Sequence, residues 1–347
     1  MKNIADIDKN FKVEASLNLP DMKLYDVKQP PFSFYGVFHD GEKFLRIPDA
    51  VAETVSGAVR NLNHHTAGGR VRFKTDSPYI AIHAEMENIT RMGHFAPCGS
   101  SGFDLYVGNK FYNSFVPSTD MESGYESFRD FATSEMREIT IHFPLYSGVR
   151  ELYIGLSENA VIEQASPYAV EVPVVYYGSS ITQGGCASRP GMAYENILST
   201  RLKIDHINLG FSGSAKAEDA IIAYLAEMTM SAFVLDYDHN APTTEHLKNT
   251  HEKLFKAVRA KHPSLPIVIM NRPRQGLSAA EKDRLTIIRQ TYENAKANGD
   301  QNVYFISGEE LMAVAGDEGL VDGCHPTDLG FFSMATAIEP ILRSILF

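Results

Sequence analysis

The sequence predicts an α/β fold preceded by an all-β unit. A three-layer domain with a parallel sheet is expected over residues 169–347, and an antiparallel, jelly-roll-like β-sandwich over residues 1–168. Two observations predict this. Before Pro167 the apolar residues fall in short alternating or aromatic-rich runs separated by turn chemistry. After it, continuous apolar runs alternate with stretches of helical period.

In chain order, strands are expected at Phe32–Phe38, Gly69–Phe73, Tyr79–Met86, Phe103–Val107, Lys110–Val116, Glu138–Phe143 and Glu151–Leu156. Clusters of Gly, Asn, Asp, Ser and Pro separate them, as at Thr75–Pro78, Val107–Asn109 and Pro117–Ser123. Many short strands with almost no helical period point to an antiparallel sandwich. Ala50–Arg60 reads equally as a short helix or an irregular connection. Glu163–Pro173 reads as the linker.

Val172–Tyr177 opens the second half as an unbroken apolar run, suited to a strand buried on both faces. Helix Ala193–Leu202, strand His206–Phe211, helix Ala217–Met228, strand Phe233–Tyr237 and helix Thr244–Lys261 follow. Strand Pro266–Met270, helix Ala279–Ala297, strand Val303–Ser307 and helix Asp328–Leu346 complete the alternation. Strand–helix repetition needs crossover connections, so the sheet is expected to be parallel with helices on both faces.

Composition narrows the partners. The net charge of −11 is spread along the chain with no basic stripe, which argues against nucleic acid or an anionic membrane surface. No run approaches about 18 apolar residues, so no membrane span is expected. Met1–Asn18 has alternating charge and no apolar core, unlike a signal peptide. The compartment stays open, since export to the periplasm or beyond requires a leader removed from this sequence. Cys98, Cys186 and Cys324 form no disulfide framework, and no CxxC or Cys/His spacing fits zinc. No metal or organic cofactor is expected, and the oligomeric state is not readable.

Ligands of open parallel α/β sheets bind at the carboxyl ends of the strands, and three loaded segments sit there. Tyr177-Gly178-Ser179-Ser180-Ile181-Thr182-Gln183-Gly184-Gly185 follows the first strand; Gly178 permits a tight turn that lifts the next hydroxyl clear. Asn208-Leu209-Gly210-Phe211-Ser212-Gly213-Ser214 follows the second, where Gly213 can offer its N–H to an anion. Asp236-Tyr237-Asp238-His239-Asn240 ends the third and can aim an amide into the crevice. Each alone is also an ordinary turn.

A fourth segment, Val321-Asp322-Gly323-Cys324-His325-Pro326, precedes the last helix. Asp322 and His325 can pair as carboxylate and imidazole, fixing the tautomer and stabilising the imidazolium. His325 can then activate a serine, which is a poor nucleophile unaided. An Asx turn capping the final helix explains the same residues.

Taken together, the four blocks resemble the SGNH (GDSL-like) hydrolases over roughly residues 172–347. The resemblance implies Ser180 as nucleophile, Asp322 and His325 as its partners, and Ser180, Gly213 and Asn240 as oxyanion-hole donors. Ser179 stands where that family usually has aspartate, and Asp238-His239-Asn240 replaces the commoner Gly-x-Asn-Asp. Gly102-Phe103-Asp104-Leu105-Tyr106 is similar to the Gly-x-Asp-Leu-Tyr motif of the sandwich preceding some SGNH domains in bacterial carbohydrate esterases. The implied activity is hydrolysis of acetyl or other short acyl esters, with carbohydrate as the alcohol. A non-catalytic carbohydrate-binding protein and a lipase or thioesterase for longer chains are the alternatives.

Other residues complete the reading. His94, just before the Gly-x-Asp-Leu-Tyr segment, and Arg272, at the end of the fourth parallel strand, are candidate substrate-binding residues. A capping or salt-bridge role suits Arg272 equally. His64 and His65 are expected in a surface loop, His246 and His251 on a solvated helix face, Cys324 in packing. Tyr177 and Tyr237 are expected as core-edge aromatics, and Asp104 as a buried, paired carboxylate.

Overall fold

The computed structural model describes residues 17 and 19–347. The charged stretch Met1–Asn18 therefore lies, but for Leu17, outside the described residues.

The first half builds two antiparallel sheets and a separate two-stranded β3-β4 ribbon from β1 (Met22–Asp26), β2 (Ser33–Tyr35), β3 (Phe38–His39), β4 (Phe44–Leu45), β5 (Arg70–Thr75) and β6 (Tyr79–Glu87). These are followed by β7 (Phe103–Val107), β8 (Lys110–Phe115), β9 (Gly124–Asp130), β10 (Arg137–His142), β11 (Gly148–Ser157) and β12 (Ile162–Glu163). One sheet runs β1-β11-β6-β9; the other runs β12-β5-β10-β7-β8, with β2 also on β5. Alternate residues point inward, as period two requires: Ile80 and Ile82, Leu152 and Ile154, Val71 and Phe73, Ile139 and Ile141 share one core. The expected strand Phe32–Phe38 is interrupted at Gly36, which has φ of +73°.

The second half is a parallel sheet of β13 (Val170–Gly178), β14 (Ile204–Gly210), β15 (Ala232–Asp236), β16 (Ile267–Met270) and β17 (Val303–Ile306), in the order β14-β13-β15-β16-β17. β12 ends at Glu163 and β13 starts at Val170, so the connection is shorter than the expected linker. Along β13, Val174 and Tyr176 enter one core with helices Tyr194–Leu202 and Asp328–Leu346. Val175 and Tyr177 enter the opposite core with helices Asp219–Glu227, Thr244–Lys261 and Ala279–Ala297. This double burial is why β13 reads as a continuous apolar run. Helix Asp328–Leu346 is long and apolar enough to cross a membrane by length and composition; Phe331, Met334, Ala335, Ile338 and Leu342 on it are fully buried in the first core.

The halves are welded together. The ambiguous stretch after Pro48 forms two helices, Asp49–Val55 and Gly57–Asn63, and Ala52 and Val59 pack into the second core of the α/β half. Arg46, 3% exposed, donates to the carbonyls of Asn208 (3.2 Å) and Gly210 (2.5 Å) and lies over the Phe211 ring. Arg70 is fully buried; its guanidinium meets the Asp205 carboxylate, the Gly68 carbonyl and the Tyr168 hydroxyl. A buried charge is tolerated only when paired and hydrogen-bonded in this way.

Candidate active site

Strand register brings the loaded loops to one line. Gly178 on β13 pairs with Gly210 on β14 and with Asp236 on β15. The segments that follow therefore leave the sheet side by side at its carboxyl edge, the usual ligand position in such sheets.

After Gly178 the chain turns tightly. The Ser179 N–H donates to Asp236 O (3.0 Å), and Gln183 N–H to Ser179 O (3.0 Å). The Ser179 hydroxyl accepts from the Ile181 N–H (3.1 Å), so it caps the turn where a carboxylate would do the same. Gly178 is needed for close approach rather than for a special φ: a Cβ there would meet Thr182 Oγ1 at 2.1 Å and Asp236 O at 2.2 Å. Ser180 emerges 7% exposed.

Ser180 Oγ lies 2.9 Å from His325 Nε2, and His325 Nδ1 lies 2.8 Å from Asp322 Oδ2. The other carboxylate oxygen, Asp322 Oδ1, accepts the backbone N–H groups of Cys324 (2.9 Å) and His325 (2.7 Å). Partial burial pushes the Asp322 carboxyl up, but the N–H of His325, its imidazole and the N–H of Cys324 outweigh that and hold it at about 2. The Asx turn is thus real, but the cap of the last helix is Thr327; the turn's product is an oriented imidazole.

The oxyanion candidates surround the serine's loop. Gly213 has φ of +66°, and nothing stands within 4 Å of a Cβ built there. Among the described residues, the N–H groups of Ser180 and Gly213 meet no acceptor. Asn240 donates one amide hydrogen to Phe211 O (3.1 Å).

Sequence reasoning missed the support of this loop. Gln183 accepts the Ser212 N–H at Oε1 (3.0 Å), and its amide nitrogen lies 3.0 Å from His65 Nδ1. His65, expected on the surface, is 4% exposed. Burial first, then the Arg46 charge, drive its ring down to about 3. A neutral ring can accept from the Gln183 amide, so His65 belongs to the scaffold. Tyr146, also from the first half, donates its hydroxyl to Ser180 O (3.1 Å).

The two candidate substrate residues separate. His94 stands at the site, its ring centroid 6.0 Å from that of His325 and its Nε2 3.7 Å from Asp322 Oδ2. Arg272 is committed elsewhere: its Nη1 lies 2.8 Å from Glu281 Oε1, and its Nη2 donates to Gly323 O (3.4 Å). It braces the Asp322–His325 loop instead of facing the crevice. Tyr177 and Tyr237 are buried, with the Tyr177 hydroxyl accepting the Ala217 N–H. His251 is also buried, 2.8 Å from Thr291 Oγ1, against the expected solvated face.

Buried Asp104 in the Gly-x-Asp-Leu-Tyr segment accepts from Ser114 Oγ, from Arg189 Nη1 and from the Gly191 N–H. It is paired and structural.

Residues 171–343 match the model of the GDSL-like lipase/acylhydrolase family. Residues 22–162 match the GxDLY model, the N-terminus of SGNH-hydrolase-type esterases. Among solved structures, one described as a GDSL-like lipase from Bacteroides ovatus is 29% identical with a TM-score of 0.84, covering 94% of this chain and 98% of that one. The salicylyl-acyltransferase SsfX3 of a tetracycline biosynthetic pathway is 17% identical with a TM-score of 0.79, over 94% and 98% of the two chains. An acetyl xylan esterase from Butyrivibrio proteoclasticus shares the fold at 12% identity and a TM-score of 0.62, again over 94% and 98%. No curated protein matches the chain.

Proposed function

Given that the chain belongs to the GDSL-like lipase/acylhydrolase family, with the GxDLY domain of SGNH-type esterases before it, and is an ester-hydrolysing enzyme, we propose that Ser180, His325 and Asp322 are its catalytic triad and that it removes acetyl or other short acyl groups from a carbohydrate. The observation that carries the triad is the continuous row from Ser180 Oγ through both ring nitrogens of His325 to Asp322 Oδ2, at 2.9 and 2.8 Å.

Ser180 Oγ attacks the ester carbonyl as His325 Nε2 takes its proton. Asp322 stabilises the imidazolium without itself becoming protonated. Negative charge develops on the carbonyl oxygen, facing the N–H groups of Ser180 and Gly213 and the amide of Asn240. Each such donor contributes about 3–4 kcal/mol to lowering the barrier. The imidazolium then protonates the alkoxide, which leaves as the alcohol. Water repeats the sequence on the acyl-enzyme and releases the acid.

A short acyl group suits a serine that is 7% exposed, with His94 6.0 Å from the base. Carbohydrate is supported by the shared two-part architecture of the acetyl xylan esterase and a family two carbohydrate esterase from Cellvibrio japonicus.

The test is hydrolysis of an activated acetate and of acetylated oligosaccharides by wild type, Ser180→Ala and Ser179→Ala. Ser180→Ala is expected to lose roughly 10⁴–10⁶-fold in kcat, while Ser179→Ala keeps most of its rate. Turnover by Ser180→Ala at the wild-type rate removes the triad, and activity on the activated ester alone removes the carbohydrate.

A further inference from the structure

The catalytic row has neighbours it does not use. His94 enters on the loop between β6 and the helix Pro97–Ser101, held by a bridge between Met92 and Phe95. Cys186 lies beyond the serine's turn, its N–H directed at Pro326 O (3.4 Å), which places it beside His325. His94, Cys186 and His325 each offer one ligand atom, and those atoms lie within 4.8 Å of one another. The three positions are far apart in sequence, so no Cys/His spacing announces them.

We infer that His94, Cys186 and His325 form a Zn²⁺ site whose occupation switches the esterase off; the inhibitory effect rests on His325 being the catalytic base. Zinc takes imidazole nitrogen at about 2.0–2.1 Å and sulfur at about 2.3 Å in a tetrahedral arrangement, so its ligand atoms stand roughly 3.4–3.6 Å apart. The span of up to 4.8 Å closes by a shift of about 1 Å. His94, whose side chain is 42% exposed, is free to make it by rotation. Asp322 already holds His325 Nδ1, which leaves Nε2 as the ligand atom. A carboxylate behind a metal-binding imidazole is the partner that zinc-bound histidines usually have. Ser180 Oγ, 2.9 Å from Nε2, stands next to the open fourth position.

One thiol and two imidazoles select zinc over Mg²⁺ or Ca²⁺, which prefer oxygen. On binding, the Cys186 thiol releases its proton to water and sulfur bonds the metal. The Nε2 lone pair is then engaged, so Ser180 has no base to take its proton. Turnover stops until a chelator removes the ion.

The experiment titrates the purified chain with Zn²⁺, reading retention by equilibrium dialysis and hydrolysis of an activated acetate in parallel. Wild type is expected to retain one Zn²⁺ per chain, to lose activity as it does so and to recover with EDTA, while Mg²⁺ has no effect. Cys186→Ala is expected to turn over as wild type without metal. Its zinc affinity should fall by at least the roughly 10–100-fold that removing even a group behind a ligand costs. Equal inhibition of wild type and Cys186→Ala, or no retention by wild type, overturns the site. Dialysis of Ser180→Ala separates the two readings: if that variant stays active the triad fails, yet the metal site still stands or falls on Cys186→Ala retention.

Discussion

Asp104 Oδ2 accepts both the Arg189 guanidinium (2.7 Å) and the Gly191 N–H (2.8 Å), joining strand β7 of the sandwich to the loop that enters helix Tyr194–Leu202. The aspartate of the Gly-x-Asp-Leu-Tyr motif is therefore a tether between halves. Burial pushes its carboxyl up against the pull of Arg189 and Ser114, so the pair is costly to desolvate and more costly to break. Asp104→Ala leaves Arg189 without its carboxylate and the Gly191 N–H without an acceptor. We expect a loss of about 3–5 kcal/mol in unfolding free energy by urea titration, with Asp104→Asn losing less. An unchanged midpoint for Asp104→Ala would show that the tether carries no stability.

The second prediction concerns the proposed oxyanion donors. Asn240→Ala removes a side-chain donor while the Phe211 carbonyl it holds can turn to water. Its kcat is expected to fall about 10²–10³-fold, with KM much less affected. Gly213→Ala works differently: there is room for the methyl group, but φ of +66° is a left-handed conformation that a Cβ disfavours. A steady-state comparison on one activated ester checks both, and a change confined to KM in Asn240→Ala would place the amide outside the transition state.

Much of this arrangement was legible before any coordinates. The bounds of helices Thr244–Lys261, Ala279–Ala297 and Asp328–Leu346 match the sequence reading because their apolar period is long and uninterrupted. Besides the two-residue strands β4 and β12, the strands it missed, β1 and β9, are the two edges of one sheet. Sequences such as Gly124–Asp130 carry polar residues because one side meets water, which blurs the alternation. His251 was legible in principle, since Leu247, His251, Leu254 and Val258 share one helical stripe and all are buried. His65 was not: its partner Gln183 is 118 residues away, and only the packing of the two halves brings them together.

The third prediction follows from that packing. Gln183→Ala removes both the acceptor of the Ser212 N–H and the partner of His65. A buried N–H left without an acceptor costs about 1–3 kcal/mol, and the loop bearing Gly213 loses its brace. The expected signature is a reduced kcat with a lower melting temperature, whereas Asn240→Ala moves kcat alone. Full activity in a destabilised Gln183→Ala would restrict Gln183 to folding.

A fourth concerns Asp322. With its carboxyl held at about 2 rather than near the ordinary 3.8, it stays ionised throughout the working range. The sign follows directly: what it contributes is present above about pH 4 and is lost only as pH falls through about 2. The acid limb of kcat/KM therefore cannot belong to Asp322. Asp322→Asn favours the wrong His325 tautomer and is expected to lower kcat by about 10⁴-fold. A wild-type acid limb at about pH 4 that disappears in Asp322→Asn, or an Asp322→Asn variant of undiminished kcat, would contradict this.

The last prediction places a stability cost beneath the site. Asp236, 1% exposed, offers Oδ2 to the Thr182 hydroxyl (3.1 Å), while its Oδ1 has no partner among the described residues. Burial raises its carboxyl to about 6, a shift that the nearby His239 partly opposes. Below about pH 4 the group is protonated in both folded and unfolded chains and contributes nothing to the pH dependence. Between about 4 and 6 the unfolded chain gives up the proton while the folded one keeps it, so stability falls as pH rises and then levels off. Asp236→Asn keeps an oxygen for Thr182 and has no proton to lose. Relative to wild type it is expected to gain on the order of 2–3 kcal/mol between pH 4 and pH 7, read as a growing difference in melting temperature. A difference that stays constant across that range would mean that Asp236 does not titrate there, and that its buried charge is balanced by His239 at every pH.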